Sequence, residues 1–157
     1  MRMKATATLA LAATLIAGVT LAATGSKAPP TGETPAMQAR LASKAGLVAV
    51  ARAGDSLVAV GDFGTVVRST DGGQTWTQAA SVPVSGLLTA VSFADAQNGW
   101  AVGHGGVILV TSDGGDNWAI QQIVDGKPVL LSVFFTDAAH GYAVGAYGTA
   151  LATVDGG

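Results

Sequence analysis

A repeat with a fixed period of about 42 residues runs through this chain from Gly46 to Gly157. Gly61-Asp62-Phe63-Gly64 recurs as Gly103-His104-Gly105-Gly106 and as Gly145-Ala146-Tyr147-Gly148. Ser69-Thr70-Asp71-Gly72-Gly73 recurs as Thr111-Ser112-Asp113-Gly114-Gly115 and as Thr153-Val154-Asp155-Gly156-Gly157. Trp76 falls on Trp118, Phe93 on Phe135 and Trp100 on Tyr142. A repeat of this length built from short β-branched runs is one supersecondary unit, and stacking such units around an axis makes propeller blades.

Within one unit, runs of Val, Ile, Thr and aromatics bounded by Gly, Asp and Asn predict four strands. They fall at Thr89 to Phe93, Gly99 to Val102, Val107 to Thr111 and Asn117 to Ile123. Similar runs start at Leu47 and Leu131. The expected fold is therefore all-β: an incomplete β-propeller of four-stranded antiparallel blades, at about 46–87, 88–129 and 130–157. Strand one is the most apolar and is expected to be innermost and buried on both faces. The third unit stops within its turn, so two and a half blades are expected, against about four to eight in closed propellers. On this reading the chain is a fragment whose last blade leaves Leu151 and Phe135 uncovered.

The repeated turn has a mechanical explanation that needs no ligand. Between strands three and four the chain reverses tightly, and Asp71 and Asp113 are placed to accept hydrogen bonds from the N–H groups of that reversal. Gly72, Gly73, Gly114, Gly115, Gly156 and Gly157 supply the positive φ angles the reversal needs. Ser69, Thr111, Asp155 and the ring residues Trp76 and Trp118 complete the pattern, the indoles covering the blade edge.

Ser69 to Trp76 fits the pattern Ser-x-Asp-Gly-Gly-x-Thr-Trp in full, and Thr111 to Trp118 departs only at Thr111 and Asn117. With the repeat spacing, the chain resembles the BNR or Asp-box repeat superfamily that includes the sialidases. The phrases Leu57-Val58-Ala59-Val60-Gly61 and Asn98-Gly99-Trp100-Ala101-Val102-Gly103 are most similar to the branch named for the photosystem II assembly factor. That resemblance implies a non-enzymatic scaffold that binds a protein, such as a subunit of a membrane complex, during assembly. The sialidase side of the superfamily implies the alternative: a glycosidase or carbohydrate-binding protein whose catalytic residues lie in other blades.

The N-terminus carries Met1-Arg2-Met3-Lys4 and then an apolar run from Ala5 to Ala23, a basic region followed by the core of a secretory signal peptide. Cleavage is expected after Ala22 or Ala23. No membrane span is then expected, because the strongly apolar part, Leu9 to Leu21, is shorter than the roughly 20 residues a bilayer needs. Residues 24–45, with Pro29, Pro30 and Pro35, are expected to be a linker with a short helical turn around Met37 to Ser43. The expected destination is the periplasm or the extracellular space, or the thylakoid lumen in a photosynthetic host. No cysteine is present to form a disulfide or a thiolate metal site. Without Arg2 and Lys4, 6 of the 8 basic side chains remain against 10 acidic ones, a balance of −4 that disfavours a nucleic-acid partner.

Catalytic chemistry finds little to use. Sialidase-like sites need an arginine cluster with Tyr and Glu, whereas Arg40 and Glu33 sit in the linker and only Arg52 and Arg68 lie in the blades. Asp71, Asp113 and Asp155 recur in equivalent turns, and Asp95 and Asp137 open equivalent loops after strand one, which favours structural roles. His104 and His140 fall in turns at opposite ends of a blade, too far apart for a shared metal. No catalytic residue, metal site or cofactor is expected. The candidate partner-binding residues are Asp62, Phe63, His104 and Tyr147, which differ in character on a repeated frame at the strand two to three turns. Phe63 and Tyr147 either stand out as aromatic anchors or pack over the neighbouring blade.

Overall fold

The computed structural model describes residues 34–157, so the expected signal peptide lies outside the described residues. Eleven strands among them form three antiparallel sheets. The first is β1 (Leu47–Ala53), β2 (Ser56–Gly61), β3 (Val66–Ser69) and β4 (Thr77–Gln78), paired in chain order. The second is β5 (Leu88–Phe93), β6 (Gly99–Gly103), β7 (Val107–Thr111) and β8 (Ala119–Ile123). The third has three strands, β9 (Leu130–Phe135), β10 (Gly141–Gly145) and β11 (Ala150–Thr153), with β11 at its edge. Among the described residues no helix is long and apolar enough to cross a membrane.

Each sheet is a meander because every connection is short enough to return the chain antiparallel to the strand before it. Successive sheets then stack face to face. The first strands lie side by side, and Thr89 Oγ1 of β5 donates to the Leu130 carbonyl of β9 at 2.6 Å. Apolar side chains fill two seams between blades. The first contains Val58, Val60 and Val66 of the first blade against Leu88, Ala101, Leu109 and Trp118 of the second. The second contains Trp100 and Val102 against Leu130, Val133, Phe135 and Ala143. Full burial of each such aliphatic side chain contributes about 1.5–3 kcal/mol, so the seams join the blades.

Three expectations are corrected. In the first two blades strand two, not strand one, is the more buried: all of β6 is buried, whereas Val48 and Val50 of β1 are 57% and 61% exposed. Strand one is an edge strand, while strand two has a strand on each side and sits in the seams. The third blade leaves a different face open. Phe135 is buried and Leu151 packs on the second blade, while Phe134, Tyr142 and Val144 are 60%, 55% and 48% exposed. Adjacent strand residues face opposite ways, so a single position decides which aromatic is covered. Residues 36–45, read above as the end of a linker, dock on the first blade. The Ala36 N–H donates to the Val82 carbonyl at 3.0 Å, Gln38 Nε2 to the Ala79 carbonyl at 2.8 Å, and the Ala39 N–H to Gln78 Oε1 at 2.8 Å. A 3-10 turn, Ala42–Lys44, then lays Ala42 over Ala59 and Val67.

Candidate binding surface

The aspartate turns recur at equivalent positions in all three blades. Ser69 Oγ donates to Asp71 Oδ1 at 2.7 Å and accepts from the Gly73 N–H at 2.8 Å. Asp71 also accepts from the Thr75 N–H at 2.9 Å and from Thr75 Oγ1 at 2.5 Å. Trp76 Nε1 closes the turn on the Gly73 carbonyl at 3.0 Å. The second turn repeats this with Thr111 Oγ1 to Asp113 Oδ1 at 2.9 Å, Asn117 Nδ2 to Asp113 Oδ2 at 2.9 Å and Trp118 Nε1 to the Gly115 carbonyl at 3.0 Å. The third has Thr153 Oγ1 to Asp155 Oδ1 at 2.8 Å and the Gly157 N–H to the same oxygen at 3.3 Å. Gly72 and Gly114 open their reversals with φ of 73° and 75°. A side chain with a Cβ would be strained in that left-handed region, which is why glycine holds both positions.

These bonds set the charge of the turns. Donation from the Thr75 hydroxyl and N–H and from Ser69 holds the Asp71 carboxyl at about 2. Burial pushes Asp113 up, but the Asn117 N–H and amide and the Thr111 hydroxyl outweigh it and leave the carboxyl below its ordinary value. Thr153 lowers Asp155 in the same way. In the strand one to two loops the Asn98 side chain and N–H lower Asp95, while the Ala139 and His140 N–H groups and the His140 ring lower Asp137. All five carboxylates are ionised acceptors committed to their own loops. A group in that state is a poor proton donor near neutral pH.

The strand two to three turns are different, since they leave side chains free. Each is a short 3-10 turn whose middle residue is left-handed: Phe63 at φ 57°, Gly105 at 74° and Tyr147 at 57°. For a bulky residue this conformation costs on the order of 1–2 kcal/mol. The rings do not recover that cost by packing, because Phe63 is 75% and Tyr147 99% exposed. At Gly105 nothing lies within 4 Å of where a Cβ would stand, so space does not decide which turn carries a ring. Asp62 is half-buried, with its N–H on the Gly46 carbonyl at 2.9 Å, and His104 is exposed, with its N–H on the Leu87 carbonyl at 2.9 Å. All four candidate residues thus sit on equivalent turns, next to the segments that lead into each first strand. His140 is elsewhere, its Nδ1 at 3.0 Å from both Asp137 carboxylate oxygens.

Two features escaped the sequence reading. Phe93 pairs with Gly99 and Phe135 with Gly141 across the first two strands, and a Cβ on either glycine would stand within 2.7 Å of the ring. In the first blade the same pair is Arg52 and Leu57. The signal was present: where the ring is replaced, the glycine is too. The second feature is a cleft of about 270 Å³ between the second and third blades, lined by Ile108, Gln121, Phe135 and Leu151 among others.

No protein-family model matches the sequence, and no curated protein matches it. Solved structures do. The chain is similar to YCF48 bound to D1 peptide, with a TM-score of 0.65 and 25% identity over 72% of this chain and 38% of that one. It is similar to YCF48 from Cyanidioschyzon merolae, with a TM-score of 0.60 and 23% identity over 82% and 37% of the two chains. An ancestral GH74 enzyme matches at 0.53 and 16% identity, over 69% of this chain and 18% of the enzyme. The chain thus spans less than two-fifths of the YCF48 chains it matches. Blade architecture and structural neighbours agree that these sheets are β-propeller blades, similar to those of the photosystem II assembly factor YCF48.

Proposed function

We propose that the chain is an exported, non-enzymatic scaffold that binds a segment of a protein partner, such as a membrane-complex subunit, through its strand two to three turns. One observation carries this reading. Phe63 and Tyr147 are held in a costly left-handed conformation at equivalent turns, and both rings stand in solvent. Backbone strain that packing does not repay is a mark of a site under functional demand, and exposed aromatics are the side chains interfaces favour. The solved YCF48 with a D1 peptide supports a peptide-type partner. The commitment of Asp71, Asp95, Asp113, Asp137 and Asp155 to their own loops supports a non-catalytic role.

The test is fluorescence anisotropy with a labelled D1 peptide. Saturable binding that weakens at least about tenfold, or about 1.4 kcal/mol, in the Phe63→Ala/Tyr147→Ala variant is the expected result. Binding unchanged by the double substitution removes these turns from the interface, and no saturable binding removes a D1-like partner. Release of reducing sugar from a polysaccharide panel would overturn the non-enzymatic reading.

A further inference from the structure

An aspartate followed by glycine can close on itself. The glycine amide nitrogen attacks the aspartate Cγ, one water leaves, and a five-membered succinimide forms. Water then opens either ring carbonyl, which restores aspartate or leaves isoaspartate, with the backbone rerouted through the side chain. Glycine allows this because it puts no side chain beside the attacking nitrogen and restricts the backbone least. The described residues contain four such pairs: Asp71-Gly72, Asp113-Gly114, Asp125-Gly126 and Asp155-Gly156. Asn98-Gly99 can form the same ring by losing ammonia.

The fold treats these five pairs unequally. Ring closure needs a side chain free to turn towards the next nitrogen and a nitrogen free to approach it. Asp71 accepts from the Ser69 hydroxyl at 2.7 Å and from the Thr75 N–H at 2.9 Å. Asp113 accepts from the Asp116 and Asn117 N–H groups at 3.0 Å, and the Gly114 N–H donates to the Gln97 carbonyl at 2.9 Å. Asp155 is held by Thr153, and the Gly156 N–H donates to the Ala139 carbonyl at 2.8 Å. Asn98 Nδ2 donates to Asp95 Oδ2 at 2.8 Å, and Gly99 is buried against the Phe93 ring.

Asp125-Gly126 has none of these restraints. Both residues are exposed, in the connection from β8 to β9. Among the described residues no hydrogen bond or ion pair reaches the Asp125 carboxylate, and no carbonyl accepts from the Gly126 N–H. Nothing lies within 4 Å of where a Gly126 Cβ would stand, so the turn has room to move.

We propose that Asp125-Gly126 is the site at which this chain, while folded, converts to isoaspartate through a succinimide, a spontaneous step that needs only water. Isoaspartate adds one atom to the backbone. That atom falls inside the turn closed by the bond from the Lys127 N–H to the Val124 carbonyl at 3.0 Å, so the turn must open or reshape. The change reaches the His104 turn, because the Val124 N–H donates to the Gly106 carbonyl at 2.9 Å. The chemistry itself does not rest on what that turn binds.

The test incubates the whole chain in mildly acidic buffer, with and without urea, and quantifies isoaspartate in each proteolytic peptide by mass spectrometry against synthetic standards. In the folded chain isoaspartate is expected to accumulate at Asp125 at least about tenfold faster than at Asp71 or Asp113, since freeing one bond to a charged carboxylate lowers the reactive population by about that factor. In urea the three sites should converge. Asp125→Glu closes only a larger, slower-forming ring and should lose the product while circular dichroism stays that of the native chain. Equal rates at the three sites of the folded chain overturn the proposal, as does absence of product at Asp125. A preference for Asp125 that survives in urea also overturns it, because local sequence rather than the fold would then select the site.

Discussion

The two seams between blades are made from equivalent positions, yet they take their largest ring from different places. In the first seam the second strand offers only valines such as Val58, and the bulk comes from Trp118 just before the fourth strand. In the second seam the bulk comes from Trp100 on the second strand, stacked on Phe135 with centroids 3.5 Å apart and 5° between planes. Each indole also donates to a carbonyl of an aspartate turn: Trp118 to Gly115 within its own turn, Trp100 to Gly156 across the seam at 3.2 Å. The backbone frame fixes where a seam runs; side-chain volume fills it, and total volume matters more than which strand provides it. The first seam is closed around its ring, while the second keeps a cleft beside its own.

The substitution that tests the two seams most directly is Trp118→Ala. It empties the closed seam and should cost about 3–5 kcal/mol in chemical denaturation, enough to separate the blades. Phe135→Leu acts on the second seam and removes the stack while keeping apolar volume. The expected loss is smaller, about 0.5–1.5 kcal/mol, and a loss as large as that of Trp118→Ala would mean that the seams are not built on different principles. The left-handed turns give the next test. Phe63→Gly relieves backbone strain but loosens the unfolded chain, so stability should rise by no more than about 1 kcal/mol while peptide binding falls. A clear destabilisation would show that the Phe63 ring packs somewhere after all.

The smallest effect concerns acid. The Asp71 carboxyl is held at about 2, below its ordinary 3.8, so its bonded, charged form favours the folded state. That contribution is complete above about pH 4 and disappears as the pH falls towards 2. Asp71→Asn should therefore be less stable than the native chain at pH 7, with the gap closing between about pH 4 and pH 2 in melts followed by circular dichroism. A gap that persists at the acid end would mean the turn depends on side-chain shape rather than charge.

Much of this architecture was legible because the repeat carries it. The third strand of the second blade, Val107–Thr111, has the expected ends, and Gly99, Phe93 and Ile123 bound their strands as the alternation of β-branched and turn residues requires. Asp71 and Asp113 lie where their spacing put them, since a tight reversal offers N–H groups only to a side chain at that offset. What the pattern could not supply was the facing of each strand. Phe134 and Phe135 are neighbours of the same type, and only the pairing of Phe135 over Gly141 shows which one enters the seam. Nor does composition reveal docking through backbone carbonyls, which is how Gln38 and Ala36 turn an apparent linker into part of the first blade.

The first blade's outer face has Ala42 laid over Ala59 and Val67, and an arginine, Arg52, at the strand pairing where the other blades carry Phe93 and Phe135. The third blade's outer face keeps Phe134, Tyr142 and Val144 in solvent. The outer faces of these two described blades therefore differ in character, so a head-to-tail contact between copies, the route to rings and fibres, would have to match unlike surfaces.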